Sequence, residues 1–178
     1  MRPDWLYYGT LFQAGPGRGQ TKKLAQALPG AKRLYDINLR RDSYTPQLIA
    51  ELLPAANVVK LNEDEVVAID SRNESLRDFT EFWSRNVGWS AVAVTRGARG
   101  CAIRIGDDYA EVPGYKVKVA DTVGAGDAFA AAFLHGLAQG WNAHGCGDFA
   151  NRVGAVVASR PGGVPSWSLE DFAAGERR

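Results

Sequence analysis

Cysteine is nearly absent. The 178 residues contain two, Cys101 and Cys146, which is not a disulfide framework. Histidine is equally scarce, and His135 and His144 have no spacing that suggests a metal centre, so a packing or surface role is expected for both. An excess of charge of one sign is missing too: 21 Lys and Arg against 20 Asp and Glu leave a formal charge of +1. No basic cluster exceeds the pairs Lys22-Lys23, Arg40-Arg41 and Arg177-Arg178, which argues against a nucleic-acid footprint. The longest apolar runs, such as 128–134, fall far short of the ~18 residues that a membrane span requires. The stretch Met1-Arg2-Pro3-Asp4-Trp5 carries an acid and no extended apolar segment, so a secretory signal is unsupported and a reducing cytoplasm is the expected compartment.

What is present is a core-forming composition, 46% hydrophobic and 23% charged. A chain of this length is expected to form one domain, 1–178, and to bury roughly two-thirds of the surface its unfolded form exposes without disulfide or metal staples. No internal repeat, low-complexity tract or linker interrupts it.

Aromatic and β-branched clusters alternate with stretches of helical period. Trp5 to Leu11 reads as a short buried strand, Gly15-Pro16-Gly17 breaks the chain, and Thr21 to Leu28 is helical up to Pro29-Gly30. Arg33 to Ile37 is a second strand. Thr45-Pro46 opens a helix through Leu53, with proline at an early position where its missing N–H costs little, and Pro54 ends it. Asn57 to Leu61 is a third strand, Glu63 to Ile69 starts a helix, and Asp78 to Trp83 continues the helical character before a fourth strand, Ala91 to Thr95. Cys101 to Ile105 and Tyr109 to Val112 flank Gly106-Asp107-Asp108 as a hairpin, and two late helices span Ala125 to Leu137 and Asp148 to Ser159. This order predicts an α/β fold: an open, mostly parallel sheet in three layers, helices on both faces, with an appended antiparallel hairpin.

Open parallel sheets bind ligands outside the carboxyl ends of their strands, so segments that follow strands are the places to look for chemistry. Four stand out: Asp36-Ile37-Asn38-Leu39-Arg40, Lys60-Leu61-Asn62-Glu63-Asp64-Glu65, Thr95-Arg96-Gly97-Ala98-Arg99-Gly100, and Asp121-Thr122-Val123-Gly124-Ala125-Gly126-Asp127. In the last, two glycines admit a close backbone approach just before an apolar helix. Such a helix start is an anion cradle, because its free N–H groups point at the ligand and its dipole adds roughly half a positive charge. A carboxylate at Asp127 would stay ionised beside a phosphoryl group and accept the proton of an attacking hydroxyl. The plainer alternative is that the glycines only turn the chain and Asp127 caps the helix. Neither a dinucleotide fingerprint nor a P-loop is present, since Phe129 stands where the former needs glycine and 15–23 contains no Gly-Lys-Ser/Thr.

The stretch Asp121-Thr122-Val123-Gly124-Ala125-Gly126-Asp127-Ala128-Phe129 resembles the C-terminal signature of the PfkB family of ribokinase-like carbohydrate kinases. The three other segments above, with Asn151-Arg152-Val153-Gly154-Ala155, match in family order over nearly the whole chain. The resemblance implies phosphoryl transfer from ATP to a sugar or sugar-acid hydroxyl, with Asp127 as general base and Gly124, Ala125, Gly126 and Asp127 forming the anion hole. It further implies that Asn62 and Glu65 place the magnesium-bound phosphates through water, that Thr95, Gly97 and Asn151 border the nucleotide, and that Asp121 and the carbonyl of Val123 resemble the loop that holds a monovalent cation such as K⁺ in some relatives. Asn38 and Arg40 could face sugar or phosphate, the arginine through planar bidentate contacts, with an ion pair to Asp36 or Asp42 as the alternative. Cys101 reads as a buried small hydrophobe.

The family's usual chain is longer at its N-terminus, where the first strands, the lid and a sugar-binding acid lie. The expectation is therefore a partial domain whose strand at Trp5 to Leu11 is left for something to cover: a second copy in a homodimer, a separately encoded N-terminal piece, or nothing in a gene fragment. Two further readings stay open, a kinase of a vitamin precursor or nucleoside, and a non-catalytic remnant that binds nucleotide at most.

Overall fold

Polar residues placed just before apolar periods start most of the longer helices. Thr45, Asn62, Ser75 and Asn142 each accept an amide of the following turn on the side chain, which satisfies one of the N–H groups a helix start leaves open. The computed structural model describes residues 2–15, 17–40, 44–168, 170–171 and 176–177; Asp42 and Pro16 lie outside them. The chain divides into two compact units, Met1–Val94 and Thr95–Arg178.

In the first unit, β1 (Trp5–Gly9) runs parallel to β2 (Lys32–Asp36), and β2 parallel to β3 (Val58–Asn62), with β4 (Ala91–Thr95) next in strand order. Gly9 is in register with Asp36, and Asp36 with Lys60, so these carboxyl-end residues stand side by side. The helices are α1 (Thr10–Gln13), α2 (Arg18–Ala27), α3 (Pro46–Leu52), α4 (Glu63–Ile69) and α5 (Leu76–Val87). Leu34, Tyr35, Ile37, Val58, Val59 and Leu61 are fully buried, and each such aliphatic side chain stabilises the fold by roughly 1.5–3 kcal/mol.

In the second unit, β5 (Cys101–Ile105) pairs antiparallel with β6 (Asp108–Val112), closed by a two-residue turn in which Gly106 has φ +57°. A two-residue strand, β7 (Tyr115–Lys116), follows, then α6 (Ala125–Ala138) and α7 (Ala143–Ala158). The middle of α7 can approach the hairpin because Gly147 has no side chain: a Cβ there would lie 2.8 Å from Val112 and 3.0 Å from Ile103. Burial pushes the Cys101 thiol up to about 12 and the Cys146 thiol up to about 11, so both remain protonated hydrophobes.

The α/β class, the parallel strands and the hairpin are those expected. Most boundaries shift by one to a few residues, and three of the shifts have a visible cause. β1 stops at Gly9 instead of Leu11, because the buried Thr10 turns its hydroxyl to the Tyr35 hydroxyl, 2.6 Å away, and donates to the Ile37 carbonyl, which starts α1. α3 ends at Leu52, one residue earlier than expected, and Pro54 sits in the 3-10 turn Leu53–Ala55 that follows it. α7 begins five residues before Asp148, where the Asn142 side chain accepts the Gly145 amide at 2.8 Å. No helix among the described residues is long and apolar enough to cross a membrane.

Candidate functional site

Gly124 is the pivot of the second unit's site. It caps α6 with φ +79°, a backbone that side chains rarely tolerate, and a Cβ there would lie 2.1 Å from the Gly163 carbonyl oxygen. Asp121 ties the same turn from below: one carboxylate oxygen accepts the Val123 amide at 3.0 Å, the other the Gly162 amide at 3.2 Å. The Ala125 amide is taken by Thr122 and that of Ala128 by Gly124. Among the described residues the Gly126 and Asp127 amides have no such partner, so the first turn of α6 offers two N–H groups at its positive end. The Asp127 carboxylate is exposed, lies in the first turn of α6 and makes no capping bond, since the cap is a glycine.

A cavity of about 320 Å³ opens against this turn. It brings together Thr95, Gly97 and Asn151 with Ala125 and Gly126, and it is walled by Val117, Val119, Phe129 and Ala158. An apolar slot ending in helix amides has the size and chemistry for a flat aromatic group that carries an anion. Asn151 lines it while donating its amide nitrogen to the carbonyls of Val112 and Pro113, both at 3.2 Å, so it shapes the wall at Gly114. Gly114 itself has to be glycine, because a Cβ would lie 2.4 Å from the Ala98 carbonyl oxygen. Tyr115 completes that wall; its hydroxyl donates to Asp148 at 2.6 Å and accepts from Arg152 at 3.1 Å.

The remaining expected site residues are in the first unit. Asn62 and Glu65 form a reciprocal capping box at the start of α4: the Asn62 side chain accepts the Glu65 amide at 2.9 Å, and Glu65 Oε2 accepts the Asn62 amide at 2.8 Å. Glu65 Oε1 accepts the Leu39 amide at 2.7 Å, which draws the Asn38 to Arg40 segment to the same place. Burial raises the Glu65 carboxyl, opposed by these two amides and by Lys60. Asn38 and Arg40 are exposed, and Asn38 has φ +40°. Asp36 is buried and bonded by the Lys60 ammonium and the Tyr7 hydroxyl.

Sequence reading missed Gly114, Tyr115, Gly162 and Gly163. Pro113-Gly114 and Gly162-Gly163 are visible as turn signals, but nothing local shows which backbone each must approach. His135 is exposed with its ring edge-on to Trp141, and no cluster of three metal-ligating side chains occurs among the described residues.

Comparison with known proteins places this geometry. The fold matches the crystal structure of 2-dehydro-3-deoxygluconokinase from Thermotoga maritima with a TM-score of 0.81 at 18% identity, over 96% of this chain and 58% of that one. An uncharacterized sugar kinase of Pyrococcus horikoshii is 30% identical over 171 residues, covering 90% of this chain and 51% of the relative, and its structure in complex with ATP matches with a TM-score of 0.71. Fructokinase-1 of Oryza sativa subsp. japonica is 31% identical over 156 residues, covering 79% of this chain and 47% of its own. The model of the pfkB family carbohydrate kinases matches residues 4–169, and the chain belongs to that family. It spans about half the length of these curated relatives.

Proposed function

We propose that this chain carries the nucleotide side and the catalytic base of an ATP-dependent kinase that phosphorylates a sugar or sugar-acid hydroxyl. The observation that carries the reading is the 320 Å³ apolar slot that ends on the glycine-capped first turn of α6. In this reading adenine occupies the slot beside Thr95, Gly97 and Asn151, and the phosphates run toward the amides of Gly126 and Asp127. The Asp127 carboxylate takes the proton of the sugar hydroxyl as its oxygen bonds to the γ-phosphorus and the bond to the ADP oxygen breaks. The helix amides stabilise the charge on the transferring group. Asn38 and Arg40 are read as facing sugar or phosphate.

Mg²⁺ fits the first unit's residues in one way. Glu65 already accepts two amides, yet a carboxylate has about four acceptor positions, so it can also accept from the waters of a hydrated ion. The contribution of such an ion is to neutralise phosphate charge. For a monovalent cation, the residues are Asp121 and the Val123 carbonyl on the loop tied at Gly162.

Calorimetric titration with ATP and Mg²⁺ tests the slot. Saturable heat and a rise in melting temperature are expected, by mass action on the folded state. A folded protein showing neither up to millimolar nucleotide overturns the reading. Where turnover is measured, Asp127→Asn is expected to lower it by ~10²–10⁴-fold with nucleotide affinity nearly unchanged. Near-full turnover in that variant would place the base elsewhere.

A further inference from the structure

Asn38 has a backbone that few residues with a side chain adopt. Its φ is +40°, and among the described residues only Asn73 shares that sign without being glycine. Such a conformation is costly and persists only where the surrounding structure over-determines it. The φ and ψ of a residue orient the rigid peptide planes on either side of its Cα, so a bond to each plane fixes both angles. Asn38 has one on each side. After it, the Leu39 amide donates to Glu65 Oε1 at 2.7 Å; before it, the Ile37 carbonyl accepts from the Thr10 hydroxyl.

Thr10 is placed for that bond by the end of β1. It is 0% exposed and follows Gly9, which packs so close to β2 that a Cβ there would lie 3.3 Å from the Asp36 carbonyl oxygen. The single hydroxyl proton of Thr10 goes to the Ile37 carbonyl, which can only accept. The Tyr35 hydroxyl, 2.6 Å from Thr10 Oγ1, is therefore the donor of that pair. Tyr35 is itself held by stacking on Tyr8, with ring centroids 5.0 Å apart and planes 10° from parallel. Two hydroxyls in series thus end on the peptide that precedes Asn38, and each bond polarises the next.

We propose that Thr10 is a positioning residue for the segment carrying Asn38 and Arg40: its hydroxyl clamps the peptide before Asn38 as Glu65 clamps the peptide after it, and the left-handed turn exists because both are held. That this segment faces sugar or phosphate rests on the kinase reading above. The clamp on Asn38 does not.

Hydrogen exchange of single amides, followed by NMR on the unliganded chain, tests it. In Thr10→Val, which keeps the volume and loses the hydroxyl, protection of the Leu39 amide is expected to fall roughly three- to tenfold, as for one net hydrogen bond. In Thr10→Ser, which keeps the hydroxyl and loses a methyl, it should stay close to that of the parent. The Asn57 amide, bonded to the Arg33 carbonyl at 2.9 Å at the other end of these strands, should keep its protection in both. A protein that is loosened throughout loses protection at Asn57 as well, and one that needs the methyl for packing fails in Thr10→Ser instead of Thr10→Val. Either pattern, or an unchanged Leu39 in Thr10→Val, overturns the proposal. Should Thr10→Val fail to fold, Thr10→Ala replaces it, since alanine and serine differ by the hydroxyl alone: a Leu39 amide protected in Thr10→Ser and exposed in Thr10→Ala supports the clamp, and equal protection refutes it. No nucleotide or sugar is present, so failure of the kinase reading, seen by calorimetry, is a separate result.

Discussion

Asp70, just past the end of α4, accepts the Arg72 amide at 3.0 Å, the Arg72 guanidinium at both oxygens, and the Trp83 indole N–H at 2.8 Å. Hydrogen bonding by Arg72, the largest cause, holds its carboxyl at about 2 against an ordinary 3.8. The folded state thus binds this proton more weakly than the unfolded one. The resulting stabilisation is complete above about pH 4 and is lost as pH falls toward 2; after discount for solvent around Arg72 it amounts to about 1–2 kcal/mol. Trp83 links the carboxylate inward, since it stacks on Trp89, whose indole donates to the Leu53 carbonyl. In urea melts, Asp70→Asn should be less stable than the parent at pH 5 by about that amount, with the gap closing near pH 2. Glu65 works in the opposite direction, because its raised carboxyl makes protonation favour the folded state, but it is common to both proteins and drops out of the difference. A gap that does not change with pH would show that Asp70 acts through packing alone.

At the scale of elements, what could be read in advance depended on where the deciding contact lies. Glu63 to Ile69, Ala91 to Thr95 and Cys101 to Ile105 agree residue for residue with the observed α4, β4 and β5, because a capping box, a short run of alternating alanine and valine or a glycine marks each within a few positions. The end of β1 was not readable. Thr10, Leu11 and Phe12 suit a strand locally, and the bonds of Thr10 to residues 25 and 27 positions away decide otherwise. The site divides similarly. Gly124 to Asp127 announce a helix start in the sequence, whereas the slot's other wall depends on Gly114 meeting Ala98 and Gly124 meeting Gly163, close backbone approaches that no spacing rule contains. Gly124→Ala measures that dependence. With φ +79° and a backbone oxygen 2.1 Å from the new methyl, it should destabilise the protein by about 2 kcal/mol or more and weaken nucleotide binding, read by melting temperature and calorimetry. Gly140→Ala, with φ +70° and open space around it, is the control: strain without collision, a smaller loss, and unchanged nucleotide affinity.

For the molecule as a whole, one group of exposed apolar side chains lies on and just after an outer strand. β1 is an outer strand of the order, Tyr7 on it is 49% exposed, and Leu11, Phe12 and Leu24 expose 55, 59 and 46% of their surfaces. Large exposed side chains beside an outer strand promote association. Light scattering should show a mass that grows with protein concentration, and Leu11→Lys with Phe12→Lys should hold the chain monomeric; a parent that stays monomeric throughout would remove the basis for this expectation.

The two thiols carry a practical consequence. Cys101 and Cys146 are both 0% exposed and both held protonated well above neutrality, so neither supplies the thiolate that alkylating reagents consume. A third cysteine introduced at Val123, 64% exposed in the loop before the glycine turn, would be the one fast-reacting sulfur in the native protein. A fluorophore or spin label could be attached there, next to the slot, without first building a cysteine-free background, and its signal would report directly on whether nucleotide enters.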